Sequence, residues 1–167
     1  MMTKHQSMTG VFWGAFDPPT KAHIAIIEQA LTLPELHHIL IIINNHSYKN
    51  YRFTLQERID QMTILLSDWI PKRITLLTQD DAHPMNFAQL STLTTLPLCA
   101  ISGYDAYVRW AQYSSDIERS HYASIAVVPR GDTPAVLFDE QAFLMPIDPA
   151  FKHTSSSQEH RNYRSDK

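Results

Sequence analysis

The chain has 167 residues, 44% hydrophobic and 19% charged, the profile of one globular domain able to bury roughly 70% of the surface its unfolded form exposes. Its formal net charge of -3 lacks the basic excess that phosphate neutralisation on a nucleic acid demands. The four glycines, Gly10, Gly14, Gly103 and Gly131, fit neither G-x-G-x-x-G nor G-x-x-x-x-G-K-[ST], which excludes the glycine-rich dinucleotide turn and the Walker phosphate loop.

Cys99 is the sole cysteine, so no intrachain disulfide framework forms and a reducing compartment is expected. Met1 to Thr9 is polar and carries no apolar signal-peptide core. The apolar run Ile39 to Ile43 is far too short to span a bilayer. These features predict a cytoplasmic single domain over residues 1–167, with no membrane partner and with 1–8 and 162–167 flexible.

In chain order, Val11 to Trp13 is a short strand ending at Gly14. From Thr20 to Leu33, the residues Ile24, Ile27, Ala30 and Leu31 recur at helical spacing, and Pro34 blocks continuation. His38 to Ile43 is a β-branched run and a second strand. Thr54-Leu55-Gln56-Glu57 is a capping box whose helix runs toward Trp69. Arg73 to Thr78 is a third strand, followed by a helix from Pro84 to Leu93. Leu98 to Ser102 is a fourth strand with a helix over Asp105 to Tyr113, and Ala123 to Val128 is a fifth. Phe143 to Met145 is a short apolar piece before a polar end. From His153 to Lys167 there is no aliphatic residue, which reads as a polar helix opening or as disorder. This alternation means right-handed βαβ units around a parallel sheet.

Ligands of such sheets sit beyond the carboxyl ends of the strands. The first of those junctions is Gly14-Ala15-Phe16-Asp17-Pro18-Pro19-Thr20-Lys21-Ala22-His23. Gly14 permits close backbone approach, and the prolines fix the path into the helix. Thr20 and His23 lie one turn apart at the helix start, where free N–H groups and the dipole favour an anion. On spacing alone, a Pro-rich turn with His23 packed under the sheet is an equal reading.

The stretch resembles the signature of the nucleotidylyltransferases, G-x-F-[DN]-P-x-[HT]-x-G-H, at the end of their first strand. Gly14, Phe16, Asp17, Pro18, Thr20 and His23 match, and Ala22 stands at the position of the second glycine. Eukaryotic-type nicotinamide mononucleotide adenylyltransferases are similar in accepting a larger residue there. The family's second motif, I-S-S-[ST]-x-[IV]-R, is similar to Thr154-Ser155-Ser156-Ser157-Gln158-Glu159-His160-Arg161. There the arginine comes one residue late, about 100° further round a helix. An ordinary Ser-rich tail is the alternative for that segment.

The resemblance extends from Val11 to Arg161. Lys49 follows the second strand, where family members carry a phosphate-binding lysine. Phe53 to Arg58 is similar to [FY]-x-L-x-x-R, Gly103-Tyr104-Asp105 to the G-x-D that meets the nucleotide, and Trp110 to an aromatic that stacks on a pyridine ring. Val127-Val128-Pro129-Arg130 is similar to the V-x-x-R of the mononucleotide branch. The resemblance implies a Rossmann-like, doubly wound parallel sheet of about five strands with helices on both faces. It also implies Mg2+-dependent adenylyl transfer from ATP to a phosphate-bearing acceptor, with pyrophosphate leaving.

In that reading His23, Thr20 and Lys49 are catalytic. Gly14, Ala15, Phe16, His23, Gly103, Asp105, Ser155, Ser156, Ser157 and Arg161 bind the nucleotide. Asp17, Lys49, Arg58, Trp110 and Arg130 bind the acceptor. No protein metal cluster is expected, since His37, His38 and His46 lack a ligand spacing.

The acceptor expected is nicotinate or nicotinamide mononucleotide, in NAD biosynthesis. The segment Asp80 to Thr95 lacks the basic R-G-L-R of the phosphopantetheine branch, which is the runner-up. Cytidylyltransferases come third, without the R-T-E-x-I-S-T-T pattern. The alternative of another class is a catalytically degenerate nucleotide-binding relative, suggested by Ala22, the displaced Arg161 and the short stretch beyond it. The oligomeric state, a homo-oligomer included, stays open.

Overall fold

The structure, a computed structural model, describes residues 6–151. Six strands form one wholly parallel sheet in the order β3-β2-β1-β4-β5-β6. The strands are β1 (Met8–Gly14), β2 (Leu36–Asn44), β3 (Ile74–Gln79), β4 (Leu98–Gly103), β5 (Ser124–Val128) and β6 (Ala142–Leu144). Between them run α1 (Lys21–Leu31), α2 (Leu55–Leu65), α3 (Phe87–Leu90), α4 (Tyr104–Tyr113) and α5 (Asp116–Ser120), and Pro149–Phe151 is a single 3-10 turn.

The sheet is buried on both faces, and the strand sequences show why. In β2, Ile39, Ile41 and Ile43 join one core cluster while Leu40 and Ile42 join the other, the two-residue period of a pleated strand. The first cluster packs α1 and α2 through Ile27, Ala30, Leu31 and Met62. The second packs α3 and α4 through Leu90 and Tyr107. Gly10 sits in tight packing on the first face, where a Cβ would lie 3.1 Å from the Ile101 side chain and 3.3 Å from Ile39.

The order reverses between β1 and β4, which pair through Thr9↔Leu98 to Phe12↔Ile101. Both neighbours of that gap are followed by helices, on opposite faces. The crevice beyond their carboxyl ends is the topological switch point where open α/β sheets bind ligands.

Several boundaries differ from those expected. The sheet has six strands, because Ala142–Leu144 pairs with β5 as a short edge. The helix expected over Pro84–Leu93 contracts to Phe87–Leu90, since the Asn86 side chain caps it by accepting from Ala88 N–H and Gln89 N–H. The α2 helix ends at Leu65, short of Trp69. At the start of the chain, Met8 lies inside β1, buried and donating its N–H to Glu35 O at 2.8 Å. Helix α5 had no counterpart, although Ser115-Asp116-Ile117-Glu118 carries a cap signal: Ser115 Oγ accepts from Glu118 N–H.

Candidate active site

The loop between β1 and α1 is built around one aromatic ring. Phe16 adopts a left-handed φ of 50° and is 1% exposed. Its ring folds back beneath Gly14, where a Cβ would lie 2.9 Å from Phe16 Cζ. No residue with a side chain fits at 14 while Phe16 keeps this position. The ring meets Phe12 edge-on at 5.6 Å and His23 edge-on at 5.0 Å, so it is the floor on which the histidine rests.

Thr20 caps α1 and fixes the imidazole at the same time. His23 N–H donates to Thr20 Oγ1 at 3.3 Å, and Thr20 N–H donates to His23 Nδ1 at 3.0 Å. A ring nitrogen that accepts carries no proton, so the neutral imidazole holds its hydrogen on Nε2. His23 therefore stands at a helix N-terminus as an Nε2–H donor, which suits a phosphate oxygen.

Asp17 and Arg58 hold the surrounding loops together. The Asp17 carboxylate accepts from Arg52 N–H at 2.6 Å and Phe53 N–H at 2.7 Å. Arg58 is fully buried and donates to Phe53 O, Ala15 O, Asn44 O and Asn45 Oδ1 at 2.7–3.2 Å. Its guanidinium carbon lies 4.0 Å from the Tyr51 ring centroid, a stacked cation–π geometry. Burial lowers the Arg58 pKa, and the Asp17 charge opposes that shift. Both residues, expected on an acceptor, make these contacts with the protein itself.

Lys49 is exposed on the loop after β2. Asp81, from the loop after β3, clamps that loop: its carboxylate accepts from Ser47 N–H at 3.2 Å and from the Ser47 hydroxyl, and meets His46 Nδ1 at 3.3 Å. The Tyr51 hydroxyl accepts from His46 N–H at 2.8 Å.

Across the switch point, α4 begins directly after β4. Its N-cap is Gly103, which makes no side-chain cap bond and has no atom within 4 Å of where a Cβ would stand. The backbone there is open to close approach. Asp105 and Arg130 come together as an exposed ion pair, Arg130 Nη1 to Asp105 Oδ2 at 3.1 Å, a contact of small energetic weight. Ser155, Ser156, Ser157 and Arg161 lie outside the described residues.

Beside this crevice lies a cavity of about 350 Å³. Trp13 and Trp110 line it with Tyr122 and Phe87. Tyr122 meets Trp13 edge-on at 6.0 Å, Trp110 at 5.4 Å and Phe87 at 5.5 Å. Trp13 Nε1 donates to Met85 O at 3.2 Å, which fixes the indole plane. Of these four aromatics only Trp110 was singled out by sequence. Trp13 carried a signal: it shares the strand face of Val11, opposite to Phe12, and so faces away from the histidine loop. Among the described residues no group of three or more His, Cys, Asp or Glu comes together. No described helix is long and apolar enough to cross a membrane.

The geometry agrees with what the chain is similar to. Residues 11–159 match the cytidylyltransferase-like family. A probable nicotinate-nucleotide adenylyltransferase of Leptospira borgpetersenii is 26% identical over 161 residues, which is 86% of this chain and 80% of that protein. A phosphopantetheine adenylyltransferase of Fusobacterium nucleatum is 45% identical over 49 residues, 29% of each chain. The fold is that of the Plasmodium falciparum nicotinic acid mononucleotide adenylyltransferase complexed with APC, with a TM-score of 0.70 at 18% identity over 94% of this chain and 83% of that one. With the family match covering most of the chain, from residue 11 to 159, the chain belongs to the cytidylyltransferase-like family of nucleotidyltransferases.

Proposed function

We propose that this chain joins the AMP moiety of ATP to the phosphate of a pyridine mononucleotide, releasing pyrophosphate. The observation that carries the acceptor assignment is the aromatic cavity adjoining the switch point, with Trp13, Trp110, Tyr122 and Phe87 on its walls. A planar heterocycle finds there the offset and edge-on partners that π systems prefer. The similarity to nicotinate-nucleotide adenylyltransferases over most of the chain points the same way.

In this reading the acceptor phosphate attacks the α-phosphorus of ATP in line. Both reactants are anionic, so catalysis consists of positioning and charge stabilisation. His23 donates from Nε2 to a triphosphate oxygen, and the N-terminus of α1 adds the positive end of its dipole. Thr20 holds the imidazole in that tautomer. Lys49 meets the attacking phosphate, with Asp81 and Arg58 setting the loop that carries it. Gly103 lets the α4 start approach the nucleotide, and Ser155 to Ser157 with Arg161 serve the β- and γ-phosphates. Magnesium neutralises the triphosphate when bound.

Phosphopantetheine adenylyltransferases are the second reading, favoured by the local similarity to the Fusobacterium protein. Pyrophosphate release from MgATP separates the two, measured in parallel with nicotinate mononucleotide, nicotinamide mononucleotide and 4'-phosphopantetheine. Release with a pyridine mononucleotide, lost in His23→Ala, is the expected result. ATP binding without pyrophosphate release in the presence of any acceptor would leave a degenerate nucleotide-binding relative, and release undiminished in His23→Ala would move the site elsewhere.

A further inference from the structure

The polar inventory of the aromatic cavity bears on the ring substituent of the acceptor, and so rests on the pyridine mononucleotide reading. Among the described residues lining it there is no Lys, Arg or His, and Glu118 is the one carboxylate. Two other polar side chains are committed in part, Gln79 keeping one N–H and the Ser102 oxygen its acceptor lone pairs. Gln79 accepts from Met85 N–H at 2.9 Å and donates to Asn44 Oδ1 at 2.6 Å. The Ser102 hydroxyl donates to Gly103 O at 3.0 Å.

Asn86 and Tyr122 are not committed in this way. Asn86 Oδ1 accepts from Ala88 N–H and Gln89 N–H at 3.1 and 3.4 Å. Because both neighbours are donors, the side-chain orientation is fixed and the NH2 group is what remains for a ligand. Tyr122 is 5% exposed. Burial, with the Glu118 charge adding to it, pushes its phenol up to about 12, so it is a neutral donor throughout the physiological range.

The cavity thus offers an amide NH2, a phenol O–H and a carboxylate. A primary carboxamide is the complement of that set: its C=O accepts from Asn86 or Tyr122, and its NH2 donates to Glu118. A ring carboxylate finds donors but no cation among the described lining residues, and meets the exposed Glu118 as a like charge. We infer that the acceptor is the neutral nicotinamide mononucleotide in preference to the anionic nicotinate mononucleotide, and that Glu118 is the residue that sets this choice by repelling the acid.

The test uses the full chain with MgATP and measures kcat/KM for both mononucleotides. Quenching of Trp13 and Trp110 fluorescence measures binding of each without turnover. In the wild type, nicotinamide mononucleotide is favoured by about tenfold, the scale of one like-charge contact near the surface. Glu118→Gln narrows the ratio by about tenfold, chiefly by raising the value for the acid. Asn86→Asp keeps the helix cap, removes the NH2 donor and adds a charge, so it widens the ratio.

A wild type that favours nicotinate mononucleotide overturns the inference, as does a ratio that neither substitution moves. Turnover of both mononucleotides with no preference overturns the specificity alone and leaves the adenylyltransferase reading standing. Failure of both to bind or react, while 4'-phosphopantetheine is adenylylated, overturns the acceptor reading and the inference with it.

Discussion

Arg58 makes its four hydrogen bonds to Phe53 O, Ala15 O, Asn44 O and Asn45 Oδ1 from full burial, so removing it leaves several acceptors unpaired. Arg58→Ala is expected to cost about 3 kcal/mol or more, the range for stranding buried polar partners. Urea unfolding measures it. Arg58→Lys recovers only part, because a point-like ammonium cannot reproduce a planar fork stacked on Tyr51. A loss below about 1 kcal/mol would mean that water replaces the guanidinium and that the loops do not depend on it. Cys99 gives a second residue-scale expectation. It is wholly buried and its thiol is pushed up to about 11 by desolvation. At pH 8 only about one thiol in a thousand is ionised, and the thiolate is the nucleophile. A thiol-reactive disulfide reagent should therefore modify the native protein only as fast as it unfolds, and quickly in denaturant. Rapid native modification would place Cys99 at the surface.

At the scale of elements, two loop-to-helix junctions carry the site, and both are closed by reciprocal caps. Thr54 Oγ1 accepts from Glu57 N–H and Glu57 Oε1 accepts from Thr54 N–H at the start of α2. That S/T-x-x-E pattern was plain in the sequence because capping is a local matter. Thr54→Ala should cost about 1 kcal/mol in the same unfolding assay. His23 performs the Glu57 role at α1, which explains why a histidine appears where a capping box has Glu or Gln. The clamp on the Lys49 loop was not legible, since Asp81 and Ser47 are 34 residues apart and nothing in either segment announces the contact. The two Ser47 hydrogen bonds chiefly, then His46, hold the Asp81 carboxyl below its ordinary 3.8. A depressed folded value means the contribution is present above 3.8 and is lost as pH falls through the lower folded value. The loop is thus fully clamped at neutral pH. Asp81→Asn should raise the acceptor KM with little change in stability, because the residue is exposed. An unchanged KM would detach the Lys49 loop from acceptor binding.

For the whole molecule, the alternation of strands and helices was readable from apolar periodicity, but the order β3-β2-β1-β4-β5-β6 was not. Strand pairing is non-local, and the three-residue β6 is too short to show a period. The cavity escaped for the same reason: Trp13, Phe87, Trp110 and Tyr122 come from four separate segments that meet only once β1 and β4 are neighbours. The junction from Gly14 to His23, by contrast, lies within ten residues, and the strand-end rule located it. The switch point therefore joins parts of the sheet that are distant in the chain, and a nucleotide held there needs both β1 and β4 in place. Binding to the folded state alone adds RT ln(1 + [L]/Kd), about 2.7 kcal/mol at a hundredfold excess over Kd. For a chain of this size that corresponds to a rise of roughly 5–10 °C in Tm. MgATP should produce that rise in the wild type, and a smaller one at the same concentration in His23→Ala, read by calorimetry or Trp fluorescence. A shift of equal size in both proteins would show that the nucleotide binds without the His23 imidazole, and no shift in either would remove ATP from the crevice.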